Sequence, residues 1–287
     1  MSAAGAGGAG ILGHMSQTSS AVGPLLQYWR HARRKSQLEL AHQAGVSPRH
    51  LSFLETGRAS PSREMVVLLA GALDVPLRER NAMLLAAGFA PLYRESRLED
   101  AELAAARAAL EAILRKQEPW PAVVMDRGWD VVTTNRAAER LFAFLLEGAP
   151  PGDPARPANV IRLMFDPAGL RPRVANWQAV AESLVQRMHR EAVGGVADAG
   201  THRLLEEALA FPGVPRRWRR PSLETPSLPV VPVRFERDGR RFDYFSTVTT
   251  LGTPQDVTLQ ELRIECFFPL DEATERAAAA LGGGSAV

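Results

Sequence analysis

Apolar residues recur three and four apart through the first third of the chain and two apart in several stretches beyond it, so the period itself predicts a helical region followed by a mixed one. The runs SQLELAHQA (36–44) and SPRHLSFLET (47–56) both carry helical spacing. Gly45 stands between them, and glycine accepts the left-handed conformation that closes a helix. Ser36 and Ser47 are in place to cap the two N-termini, with Glu39 at the reciprocal capping-box position and Pro48 in the first turn, where no N–H is needed. Leu38, Ala41, Val46, Leu51 and Leu54 supply the facing apolar side, which predicts a helix-turn-helix unit. Residues 98–116 form an alanine-rich amphipathic pattern with Leu103, Leu110, Ile113 and Leu114 on one side, read either as a linker or pairing helix or as plain packing. Strand-like runs follow at Ala122–Met125 and Trp129–Thr134 around the turn DRG, after which Asn135 caps a helix. A loop dense in Gly and Pro, EGAPPGDPARP, is expected to be mobile; helices are predicted over 175–192 and over HRLLEEALAF. Three strands close the pattern: VVPVRFERD, RRFDYFSTVTT after the hairpin signal Asp238-Gly239, and VTLQELRIECFF after the turn GTPQD. The expected fold is therefore multidomain, an all-α unit followed by an α+β unit with a five-stranded antiparallel sheet.

The outer side of the second helix of the pair presents Arg49, His50, Ser52 and Phe53. Such a helix fits the major groove of DNA, although a helical hairpin inside an ordinary bundle carries the same pattern. Charge favours the first reading. Ten basic residues stand against six acidic ones from Pro24 to Glu95, a net +4, whereas the whole chain of 287 residues carries +2. Positive charge gathered on one small helical region is what attraction to phosphate requires.

A length of 287 residues fits two domains, and an apolar share of 46% is enough to build their cores. No apolar run reaches the length of a membrane span, and no membrane partner is expected. The first residues, MSAAGAGGAGILGHMSQTSS, lack the basic start and continuous apolar stretch of a secretory signal. They are read as a disordered extension over residues 1–22, with Met15 as a second possible start. Cys266 is the single cysteine, so no internal disulfide forms, and a reducing, cytoplasmic setting is expected. There is no phosphate loop, no G-x-S-x-G elbow, no H-E-x-x-H and no His/Cys pair at metal spacing. His42, His189 and His202 are read as surface residues of helices, and no catalytic residue, metal or cofactor is expected. An enzyme built on the second region and a protein-interaction module remain the alternatives to a DNA-binding regulator.

The run SQLELAHQAGVSPRHLSFLETGRASPSREMVVLLAGALDVPLRERNAMLLAAGFAP, within about residues 24–91, resembles the Cro/CI-type, lambda-repressor-like helix-turn-helix domain of xenobiotic-response-element-type regulators. That resemblance implies five helices, matching GPLLQYWRHARR, SQLELAHQA, SPRHLSFLET, SREMVVLLAGAL and LRERNAMLLAAG. It implies that Gln37, Arg58 and Ser62 touch the DNA backbone and that Arg49, His50 and Ser52 reach base edges, with Ser47 and Phe53 beside them. It also implies that Glu55 pairs with Arg30. Pro48 departs from the polar residue common at its position.

The stretches NVIRLMFDPAGLRPRVANW, LLEEALAFPGVPRRW and FSTVTTLGTPQDVTLQELRIECFFPLD resemble the MmyB-like, PAS-like ligand-binding domain that follows this type of helix-turn-helix. The implied layout is a DNA-binding domain over 23–95, a linker helix over 96–118, a ligand-binding domain over 119–280 and a flexible tail over 281–287. The implied partners are double-stranded DNA with a near-palindromic operator, a second copy of the chain in a homodimer, and a small apolar effector such as a fatty acid. A pocket for such a molecule needs an apolar lining and a few convergent polar groups. The apolar candidates are Val124, Trp129, Val131, Leu141, Phe142, Leu163, Phe165, Trp177, Leu184, Phe242, Tyr244 and Phe267; Asn135, Asn176, Arg171, Arg173 and Tyr244 are the candidates for a carboxylate head group. Asn135 has the competing role of helix cap.

Overall fold

A computed structural model describes residues 21–148, 157–193, 199–220, 231–252 and 254–282. Nearly all of the expected N-terminal extension, most of the Gly/Pro-dense loop after Leu146 and the tail from 283 lie outside the described residues. The chain divides into two compact units: one runs through Val75 and takes in Ala82–Pro91, the other holds Pro76–Asn81 and everything from Leu92 onward.

The first unit is built on α1 (Val22–Ala32), α2 (Gln37–Gln43), α3 (Pro48–Glu55), α4 (Arg63–Ala72) and the C-terminal half of α5 (Leu77–Ala86). The punctuation acts as expected. Ser36 Oγ accepts from the Glu39 amide at 3.2 Å while the Glu39 carboxylate accepts from the Ser36 amide at 2.7 Å, and that amide, followed by the Ser36 hydroxyl, holds the Glu39 carboxyl below its ordinary pKa. Gly45 has φ +65°, and the Val46 amide reaches back to Ala41 O at 2.9 Å to close α2. Ser47 then accepts from the His50 amide at 3.2 Å and opens α3. Leu40, Ala41, Leu51 and Leu54 are buried, joined by Leu26, Trp29, Leu69 and Leu73. Leu38, expected inside, is 67% exposed: the inward stripe of α2 runs through positions 40, 41 and 44, and Leu38 falls off it. Val46 is half-buried.

The second unit holds α6 (Ala104–Gln117), β1 (Ala122–Met125), β2 (Val131–Thr134), α7 (Arg136–Leu146), α8 (Val160–Phe165), α9 (Trp177–Val193), α10 (Ala199–Ala210), β3 (Val233–Arg237), β4 (Arg240–Thr249), α11 (Val257–Glu261), β5 (Arg263–Pro269) and α12 (Glu272–Leu281). The five strands form one antiparallel sheet in the order β2-β1-β5-β4-β3, so the last strand in sequence is the central one. Asp238 and Gly239 both adopt positive φ, 49° and 74°, the geometry of a two-residue hairpin. Because side chains alternate across a strand, Val124, Ile264 and Cys266 face one way and pack with Leu110 and Leu114 of α6, while Val123, Met125 and Phe267 face the other way into the main core. The helix expected as a linker is thus packed on the sheet.

Three features differ from the sequence expectation. The run VTLQELRIECFF is not one strand: Asp256 accepts from the Thr258 amide at 2.9 Å and caps α11, and the strand begins at Arg263. A helix, α12, follows the sheet, capped by Asp271 and fastened to β4 where the Asp243 amide donates to Thr274 Oγ1 at 2.9 Å. His189, read as a surface residue, is 8% exposed because α9 is covered on that side, and its ring Nε2 lies 2.8 Å from the carbonyl of Trp218.

Candidate functional site

Glu55, at the end of α3, carries the geometry of the first candidate surface. It is 3% exposed, and its carboxylate accepts from Arg30 Nε at 2.7 Å and Arg30 Nη2 at 3.0 Å. This fork ties α1 to α3 and raises the Arg30 pKa above its ordinary value, chiefly through the hydrogen bond to Glu55. Gln37 Nε2 adds a third bond to the same carboxylate at 2.7 Å. The backbones also meet closely: a Cβ on Gly23 of α1 would stand 2.6 Å from Glu55 O and 2.9 Å from Leu54 O.

With its inner side fixed in this way, α3 turns its other side outward. Arg49 and Arg58 are exposed, and both guanidinium groups lie over the ring of Phe53, at 5.3 and 6.0 Å from its centroid. His50 and Ser52 are partly exposed between them. Ser47 and Ser62 are exposed; each uses its oxygen to cap a helix, Ser62 accepting from the Met65 amide at 3.2 Å while its hydroxyl also bonds the Glu64 carboxyl. Of the residues expected at a DNA surface, Gln37 is the one whose side chain is drawn inward, toward Glu55.

The second candidate site is a cavity of about 260 Å³ on the α7–α9 side of the sheet. Val123 and Met125 of β1, Phe235 of β3 and Phe267 of β5 line one wall; Phe142 and Leu146 of α7, Leu163 and Met164 of α8, and Val180 and Leu184 of α9 line the other. The polar side chains at its surface are Thr134, Glu139 and Glu265, and among the described residues no arginine, lysine or histidine lines it. Glu139 is exposed, at the rim. Glu265 stands on the central strand, half-buried and among the residues that line the cavity; burial pushes its carboxyl above the ordinary carboxylate range, and Ser246 Oγ donates to its Oε1 at 2.6 Å.

The sequence candidates divide accordingly. Phe142, Val131, Leu163, Leu184 and Phe267 line the cavity. Val124 faces α6, and Trp129, Leu141, Phe165, Phe242 and Tyr244 are buried in the core rather than at the cavity wall. Trp177 packs edge-on to Phe165 and donates Nε1–H to Met164 O at 2.7 Å, also off the lining. Asn135 is consumed structurally: Oδ1 accepts from the amides of Ala122 and Ala138, both at 3.0 Å, and Nδ2 donates to Trp120 O at 2.8 Å. Asn176 spans Pro232 O and the Arg234 amide at 2.7 and 3.0 Å, and Arg171 lies over the Trp177 ring at 3.9 Å while donating to Pro212 O. Neither these two nor Arg173 touches the cavity. Glu265 was missed. Its signal in the sequence is a carboxylate alternating with Ile264 and Cys266 in a strand that both faces of the unit cover.

Comparison with known proteins gives two family matches. Residues 26–80 match a helix-turn-helix model, and residues 106–281 match the MmyB-like transcription regulator ligand binding domain. No curated protein matches the chain. One solved structure, titled "Structure of an RNA-binding Light-Oxygen-Voltage Receptor", is similar over 93% of this chain and 64% of its own at 12% identity, with a TM-score of 0.26. The chain thus spans just under two thirds of that receptor chain, and the likeness is too low to carry function. The two family matches lie in order along the chain, the second covering more than half of it: the protein belongs to the MmyB-like transcription regulators, DNA-binding proteins of the xenobiotic-response-element helix-turn-helix type with a C-terminal ligand-binding domain.

Proposed function

We propose that the protein reads a near-palindromic operator as a homodimer and that an apolar effector in the cavity controls this binding, with the cytoplasm as its compartment and no catalytic step. The proposed domains are 23–95 for DNA, 96–118 as the connecting helix and 119–280 for the effector. In this reading Arg49, His50 and Ser52 reach base edges, Arg58, Ser62 and Ser47 meet phosphates, and Gln37 serves by positioning Glu55. The observation that carries it is the pair of exposed guanidinium groups stacked on Phe53, on the outward side of a helix whose inward side is locked to α1. Arginine reads guanine through two parallel donors, and a stacked arginine is already ordered before contact. Two copies would set their recognition helices about one duplex turn, or a multiple of it, apart.

For the effector, the support is the predominantly apolar lining of the cavity, which suits an acyl or alkyl chain. A fatty acid is the class proposed from resemblance. Gel-shift titration of genomic fragments tests the DNA reading: a saturable, salt-sensitive preference for particular fragments is expected, and equal binding to all of them would refute it.

A further inference from the structure

The ties that hold the start of α5 converge on one carboxylate. Residues 77–81, the first half of this helix, count with the second unit, and the other half counts with the first. The first half is bound to α11: Arg78 forks onto Glu261, Nε to Oε1 at 2.8 Å and Nη2 to Oε2 at 2.9 Å, and the Leu77 amide donates to Gln260 Oε1 at 2.6 Å. Glu261 holds a second guanidinium as well. Arg127, in the turn between β1 and β2, donates from Nη1 to Glu261 Oε1 at 3.3 Å and brings Nη2 within 3.8 Å of Glu79 Oε1, on α5 again. Both routes lead back to the cavity. α11 runs into β5 through Leu262, and Glu265 and Phe267 of β5 are in the lining; so are Met125 and Val131, the residues on either side of the turn. The turn itself is strained: Trp129 is fully buried at φ +64°, a conformation costly for a bulky side chain, with the Arg187 guanidinium of α9 over its ring at 4.5 Å.

We propose that Glu261 is the positioning residue through which occupancy of the cavity reaches α5, holding Arg78 and Arg127 so that a shift of the lining strands turns the start of that helix. This rests on the reading of the cavity as the effector site and adds how that site is coupled to DNA. A chain entering the cavity displaces the strands around it: β5 carries α11, β1 and β2 carry the turn, and both displacements arrive at the same carboxylate. A bidentate guanidinium–carboxylate pair fixes angle as well as distance, so α5 follows Glu261 rather than sliding past it. The hydrogen-bonded backbone of α5 then carries the movement into its second half. Arg78 also bonds Glu95, whose side chain is 56% exposed, and solvent screening makes that pair the minor one.

Coupling differs from plain packing in its readout, because the response to effector is lost while each ligand still binds. Decanoate is the probe: calorimetry of the full-length chain gives its own Kd, and gel shift of the preferred genomic fragment, with and without saturating decanoate, gives the response. The parent is expected to change its fragment Kd by about fivefold or more. Glu261 and Arg127 lie outside the cavity lining, so Glu261→Gln and Arg127→Gln should each bind decanoate within about threefold of the parent, yet respond by less than about twofold. Glu95→Gln should respond as the parent does. Leu184→Trp, which fills the cavity, should bind no decanoate and show no response. If Glu261→Gln fails to fold, Arg127→Gln, which leaves Arg78 on its carboxylate, decides alone. A parent-like response in Glu261→Gln or Arg127→Gln would overturn the assignment, as would an equal loss in Glu95→Gln. Decanoate that binds in the cavity of the parent without changing the fragment Kd would refute effector control and the coupling together. Absence of binding, or binding indifferent to Leu184→Trp, would bring down the cavity reading and the coupling with it.

Discussion

Two glutamates, Glu55 buried and Glu265 half-buried, show how differently one side chain behaves in two surroundings. Glu55 has a bidentate arginine and a glutamine on its carboxylate and remains a structural anion. Replacing it with alanine strands Arg30, which is 8% exposed, and urea unfolding should show a loss of about 3–5 kcal/mol. Replacing both members, Arg30→Met with Glu55→Leu, should recover much of that loss, because the cost lies in the unpaired charge. Glu265 has a hydroxyl as its partner, and burial raises its pKa. A carboxyl with a folded pKa above the unfolded value holds its proton longer in the native state, so stability is full at low pH and falls as pH rises from the free-carboxylate range near ~4.3 toward the raised value. Glu265→Gln abolishes that fall. Melting curves of the parent and variant should nearly coincide at about pH 4 and separate in favour of the variant at about pH 7.5; an equal gap at both would contradict a raised pKa.

Among the elements, α3 depends on α1 for its placement. Alanine at Gly23 puts a methyl group against two α3 carbonyls, and a clash with backbone cannot relax by rotating a side chain. Gly23→Ala should cost about 1–3 kcal/mol in thermal or urea unfolding. On the outer side of the helix, Arg49→Ala should lose about 1–3 kcal/mol on the preferred fragment and little on others, whereas Arg58→Ala should weaken binding evenly and flatten its salt dependence; titrations at two salt concentrations separate the two roles. These elements were the legible ones. Caps, a closing glycine and a 3.6-residue stripe are local signals, and Ser36, Gly45 and Ser47 act as read. The start of the last predicted strand was misread because Val257 and Thr258 favour strands by propensity, while the cap at Asp256 decides for helix. The cavity was legible in Phe142, which sits on an apolar helix stripe, and hidden in Asn176 and Arg171, whose partners at Pro232 and Pro212 lie 56 and 41 residues away. Glu265 stayed hidden because strand alternation shows that two sides differ without showing which side is hollow.

For the molecule as a whole, an effector changes DNA affinity only by as much as its own affinity differs between the states it selects. Couplings of this kind usually amount to about 5–150-fold in affinity. A saturating effector should therefore move the operator Kd within that range in the parent, while Leu184→Trp should retain the effector-free Kd and respond by less than about twofold. Loss of DNA binding in that variant without effector would show that the substitution disturbs more than the cavity.

The sheet has a second covered side, and the sole thiol lies under it. Cys266 is 8% exposed beneath α6, and burial lifts its pKa, so little thiolate is present for alkylation near neutrality. Its modification by iodoacetamide must wait for α6 to lift, which makes the labelling rate a clock for opening of that layer. A molecule held on the opposite side of the same strand should slow the clock, reporting occupancy without any spectroscopic label.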